Sequence, residues 1–174
     1  VDRLGLAPGA TVAVAMAAPT RLVALGIALE QRGFTVGAFS SAEALAALPN
    51  VAVALTDRPM NLPDGRAAVV VDDGWFAPAA PAPASTPPPP GGRLFVVSRA
   101  DAGPDVVSLS HDEMTGAVAG YGAALGLMGP WRRLLSLRGL TGLSGVASAL
   151  ATLAAGATLY LPTQGQDPMQ LALI

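Results

Sequence analysis

The chain has 174 residues, 52% of them apolar and 13% charged, with a net charge of −2, which is length enough for one domain with an ordinary core. All ten basic residues are arginine, cysteine is absent and histidine occurs once. That excludes lysine nucleophiles and Schiff bases, disulfides, thiolate chemistry, cysteine-ligated zinc or iron–sulfur centres and the common histidine-rich metal sites.

Scattered arginines and few aromatics offer no face for nucleic acid. No charged-then-apolar leader opens the chain, so it reads as cytoplasmic. Val1 is not an initiator, and the chain stops on the apolar run Leu171–Ile174 just after Asp167–Pro168 opens a new helix. The expectation is a single α/β domain over 1–174 that is a fragment or excised domain of a longer protein.

Short apolar β-type runs alternate with helical ones, the pattern of an open, mostly parallel, doubly wound sheet with helices on both faces. Thr11–Met16 reads as the first strand. Pro19–Thr20 starts a helix with Leu22, Leu25 and Leu29 on one side, closed by Gly33. Thr35–Phe39 is the second strand, Ser40 with Glu43 a capping box for a short helix through Leu48, and Val51–Leu55 a third strand ending in Thr56–Asp57. These are parallel βαβ steps. Ala67–Val71 is a further strand, after which Asp72–Asp73 beside Gly74 read as turn acids rather than a metal-binding pair. Trp75, Phe76 and Trp131 read as core or lid plugs.

Composition changes over 77–92 to a Pro/Ala-rich stretch lacking too many backbone donors for a ladder or helix, so it should run as an extended surface loop. It reads as a variable loop between two halves of one sheet, with a docking motif for a proline-recognising partner as the alternative. Leu94–Val97 then returns as a buried strand and Val106–Leu109 as another. Ser110 and Glu113 form a second capping box, placing His111 and Asp112 in the first turn of a helix with Met114, Val118, Tyr121 and Leu125 on one face. His111 as base or nucleotide contact competes with plain capping and dipole chemistry, and no third group is evident to orient its ring.

The segment Ser98–His111, S-R-A-D-A-G-P-D-V-V-S-L-S-H, resembles the phosphate-binding loop of adenylate-forming (AMP-binding) enzymes, S-G-T-T-G-x-P-K-G-V-x-x-[ST]-H. This family comprises acyl-CoA synthetases, peptide-synthetase adenylation domains and luciferases. Ser98, Pro104, Val107, Ser110 and His111 fall on matching positions without a gap. Arg99 replaces the first glycine, Ala100 and Asp101 the hydroxyls, and Asp105 the lysine. Such a loop needs glycine freedom for several backbone N–H groups to converge on an anion, and usually a cation. Here Gly103 is its one glycine and two carboxylates flank the phosphate position.

Further along, Gly156–Leu161 is similar to the family's G-A-x-x-V strand, reached through a buried crossover helix, while Ser136 and Gly139 stand where the family has the proline and histidine of P-x-x-H-x-x-G. Leu6–Met16 resembles the family's L-x-x-G-D-x-V-A-I-x-L opening, with Ala10 for the aspartate. Gly139–Gln164 is uncharged over a bilayer-spanning length, but its Gly, Ser, Thr and Ala content and its βαβ parse read as a buried helix, so no membrane span is expected.

The resemblance implies the N-terminal subdomain of an acyl-activating ligase that turns a carboxylate and ATP into an acyl-adenylate and passes the acyl group to the thiol of CoA or a carrier protein. It implies ATP and Mg as cofactors if the loop works, with Ser98 and His111 as cofactor-binding residues by motif position and no catalytic or metal-ligating residue within the chain. The rest of the parent chain and an acyl carrier protein or CoA are the implied partners. The losses in the loop point to weakened nucleotide binding and no catalysis by this chain alone. A non-catalytic scaffold or carrier-protein docking module derived from the same fold is the alternative.

Overall fold

The computed structural model describes residues 4–60, 62, 65, 68–77, 89–99, 103–127 and 132–162, with the backbone alone at 98 and 99. Strands β1 (Thr11–Ala15), β2 (Thr35–Ala38), β3 (Val51–Thr56), β4 (Ala68–Val70), β5 (Arg93–Arg99) and β6 (Gly103–Leu109) form one sheet in the order β4-β3-β1-β2-β5-β6. All neighbours are parallel except β5 and β6, which form an antiparallel hairpin. The Pro/Ala-rich stretch falls mostly outside the described residues, as does Trp131.

Period-two alternation sorts the core. Val12 and Val14 of β1, with Val36, Val53 and Leu55, pack against Leu25 and Leu29 of helix α1 (Pro19–Gln31) on one face. Ala13 and Ala54 face the other way, toward Leu45 of helix α2 (Ala42–Ala47) and Leu48 at its end. Each fully buried leucine contributes roughly 1.5–3 kcal/mol. Helices therefore cover both faces, as the alternating pattern predicts. On the α1 side of β5, Phe95 packs with Met114 of α3 (His111–Ala124) and Val146 of α4 (Leu143–Ala154).

Helix α1 has Ala18 as N-cap with no side-chain cap, Pro19 in its first turn, and Gly33 at φ +80 just past its end, where Phe34 N–H bonds back to the Leu29 carbonyl. Helix α2 is capped by Ser41, whose hydroxyl accepts Ala44 N–H at 3.2 Å, and not by Ser40. Glu43 is then the second helical residue, one too early to reach back and complete a box. The second box forms as expected: Ser110 and Glu113 bond reciprocally at the start of α3. Leu125 departs from the expected apolar face, because it is the C-cap of α3 and is exposed.

Gly91 explains how the chain rejoins the sheet after the proline-rich stretch. Its N–H bonds the Glu30 carbonyl at 2.9 Å, and a Cβ there would lie 1.8 Å from the Phe34 carbonyl oxygen, so backbone meets backbone. The final βαβ unit differs from a simple extension of the sheet. Strands β7 (Arg133–Leu135) and β8 (Thr158–Tyr160) pair in parallel as a separate two-stranded sheet, joined by α4. Among the described residues no helix is long and apolar enough to cross a membrane.

Candidate functional site

Two regions carry the chemistry. The first is the β5–β6 hairpin, whose strands flank the segment that resembles a phosphate loop; Ala100, Asp101 and Ala102 lie outside the described residues. Gly37 of β2 is level with Leu94 of β5, yet β2 ends at Ala38 and β5 runs on to Arg99. The hairpin thus extends four residues, roughly 13 Å, past the end of β2. Ser98 lies at this overhang opposite Pro104, and Gly103 has φ +71. Asp105 uses a carboxylate oxygen to accept Val106 N–H at 2.8 Å.

His111 lies at the other end of the hairpin. Strand β6 runs from Pro104 back to Leu109, level with Arg93 at the start of β5, about 17 Å away. His111 follows as the first residue of α3, exposed, with its carbonyl accepting Thr115 Oγ1 at 2.9 Å. The structure does not bring Ser98 and His111 together.

The second region is a cleft of about 520 Å³ at the carboxyl ends of β1, β2 and β3, closed on its far side by segment 136–141 after β7 and by Leu161–Pro162 after β8. Strand β1 connects through α1 toward β2, while its neighbour β3 connects away from it toward β4. Diverging connections from adjacent strands open a crevice between them, the usual ligand position in open α/β sheets. Asp57, at the end of β3, accepts Ala17 N–H at 2.7 Å and so ties the β3 end to the approach of α1. Thr56, fully buried, donates its hydroxyl to the Arg58 carbonyl at 2.7 Å. Arg58 lines one side of the cleft and Arg138 the other, with Arg138 Nη1 donating to Ser144 Oγ at 3.1 Å.

Asp57, Arg58 and Arg138 are the charged residues among those that line the cleft, beside the start of α1. In the sequence Thr56–Asp57 marks only the end of a strand. The signal available was the rule that strand carboxyl ends in such a sheet carry ligands. Elsewhere, Asp72 accepts Gly74 N–H at 2.9 Å in a 3-10 turn (Asp73–Trp75), and Asp73 pairs with Arg21, which also sits 5.4 Å from the Phe76 ring centre. Trp75 packs on the α1-side core, whereas Phe76 is exposed. Among the described residues no three His, Asp or Glu side chains gather as a metal site.

No family model and no curated protein sequence matches the chain. Solved structures do. The Klebsiella oxytoca NpsA N-terminal subdomain in complex with 3-hydroxyanthranilyl-AMSN aligns with a TM-score of 0.77 at 18% identity over 99% of this chain and 45% of that one. The o-succinylbenzoate CoA synthetase MenE from Bacillus subtilis, in complex with its acyl-adenylate intermediate, aligns with a TM-score of 0.79 at 17% identity over 99% of this chain and 48% of that one. The nonribosomal peptide synthetase FmoA3 gives 0.74 and 22% over 98% of this chain and 19% of that one. The chain thus spans just under half the length of the NpsA and MenE structures and shares the fold of the part of each that it covers.

Proposed function

We propose that this chain is the first part of the N-terminal region of an adenylate-forming, acyl-activating ligase-like protein, weakened in nucleotide binding and not catalytic on its own. The observation that carries the reading is the conjunction of that fold, along the whole chain, with a phosphate loop whose described residues do not fit a polyphosphate. Asp105, at the lysine position, is engaged with Val106 N–H, and its negative charge opposes a phosphate. Unit negative charges ~4 Å apart repel by roughly 1 kcal/mol in water and more in a desolvated cleft. Gly103 is the loop's single glycine.

ATP and Mg are the cofactors this reading assigns to the parent protein. MenE has been solved with ATP and a magnesium ion, and NpsA as an artificial fusion to the carrier protein ThdA. CoA or a carrier protein is accordingly the acyl acceptor. Within this chain the cleft between Arg58 and Arg138 is the surface available to an anionic ligand. The engaged Asp105 also favours the alternative, a non-catalytic module that docks a carrier protein.

Calorimetry of ATP·Mg with the full-length parent, beside the double variant Arg99→Gly/Asp105→Lys, tests the reading. The variant should bind at least ~10-fold more tightly than the native protein. Equal binding by the two would mean an unusual but working loop and would end the claim of weakening. Binding by neither would move the assignment to the docking module.

A further inference from the structure

We infer that Asp105 closes the exposed edge of the main sheet against pairing with a second copy of this chain. Among the described residues β6 is the last strand on its side of the sheet. Which of its backbone groups face outward follows from β5. Val36 N–H bonds the Gly92 carbonyl, so the groups of 92, 94 and 96 point to β2 and those of 93, 95 and 97 point to β6. Their partners Leu109, Val107 and Asp105 point back to β5. The outward positions on β6 are therefore Pro104, Val106 and Ser108.

Pro104 has no N–H to offer. Val106 N–H is taken by the Asp105 carboxylate at 2.8 Å. Of three outward positions, Ser108 alone presents an amide to a strand laid alongside. A long edge strand with apolar residues is a template for pairing, and proline and charge are the usual ways to blunt it. Val107 and Val97 are exposed on this hairpin, so the hazard is present. A second copy is the occupant because an antiparallel edge laid on its own two-fold mate offers the same donors and acceptors in return. The carboxylate at the position of the lost lysine has thus acquired a structural task that nucleotide binding does not require. The argument rests on the hairpin geometry and not on the reading of the loop as a weakened nucleotide site.

The test measures residue-resolved amide exchange and sedimentation velocity on the full-length protein, without nucleotide, for the native form, Asp105→Asn and Asp105→Ala. Native Val106 should exchange roughly five- to tenfold more slowly than Ser108. Asp105→Ala should bring Val106 to the Ser108 rate and produce a concentration-dependent dimer. Asp105→Asn, which keeps an acceptor oxygen, should do neither. Adding Ser108→Pro to the Ala variant removes the remaining outward donor and should restore the monomer. An Ala variant that stays monomeric, or in which Val106 keeps its native rate, overturns the inference, as does a dimer that survives Ser108→Pro.

Discussion

Arg93 at the start of β5 and Glu30 near the end of α1 form a forked ion pair, Nε donating to one carboxylate oxygen and Nη2 lying 3.2 Å from the other. The pair joins the helix covering β1 and β2 to the strand that begins the second half of the sheet, with Val146 and Ala149 of α4 beside it. The side chains are 7% and 14% exposed, so neither charge can turn to bulk water if the other is lost.

Glu30→Ala should therefore cost about 3 kcal/mol, because it leaves a guanidinium buried without its counter-charge. Replacing both residues by methionine should cost far less, since the desolvation penalty disappears with the charges. Urea unfolding of the two variants decides between these outcomes, read as midpoints at constant slope.

Gly145, in the first turn of α4, sits against segment 136–141. A Cβ there would stand 2.1 Å from the Gly139 carbonyl oxygen, which is backbone and has little room to retreat. Gly145→Ala should destabilise by at least ~1–3 kcal/mol and push this wall of the cleft outward. Chemical-shift changes confined to α4 and residues 136–141, together with a lowered midpoint, are the expected signature. An unchanged spectrum and midpoint would mean that the Gly139 carbonyl does not crowd this position.

The capping box of α3 makes an acid-side contribution to stability. Hydrogen bonds from the Ser110 backbone N–H, then from its hydroxyl, hold the Glu113 carboxyl below the usual glutamate pKa. A carboxyl depressed in the folded state stabilises above its unfolded pKa, and that contribution is lost as pH falls through the folded value. Ser110→Ala should cost about 1 kcal/mol near neutral pH through loss of the cap. It should also return Glu113 toward its ordinary titration, followed by the carboxyl carbon shift. Between neutral pH and the acid range the difference between native and variant stability should shrink.

Much of the sheet was legible because β1 and β3 alternate Val or Leu with Ala, so one strand declares a wide face for α1 and a narrow one for α2. The start of α2 was misread by one residue because Ser40 and Ser41 are both competent caps, and only the backbone angles of Ser41 select it. The separate β7–β8 sheet was not legible: three-residue strands carry too little pattern to say which sheet they join. Nor was the cleft, since Ala17, Asp57 and Arg138 are brought together by topology across more than half the chain. The separation of Ser98 from His111 was legible, because Val106–Leu109 reads as a strand lying between them and β6 runs there.

The strand order also permits the sheet to be built stepwise along the chain. The first of these six strands in sequence, β1, is interior, and by Thr56 it has gained β2 on one flank, β3 on the other and a helix on each face. Every later strand of that sheet joins an outer rim already in place: β4 beside β3, β5 beside β2, β6 beside β5. No finished pairing has to be prised apart to admit a newcomer, so the nascent chain can grow this layer by accretion while its remainder is still being translated.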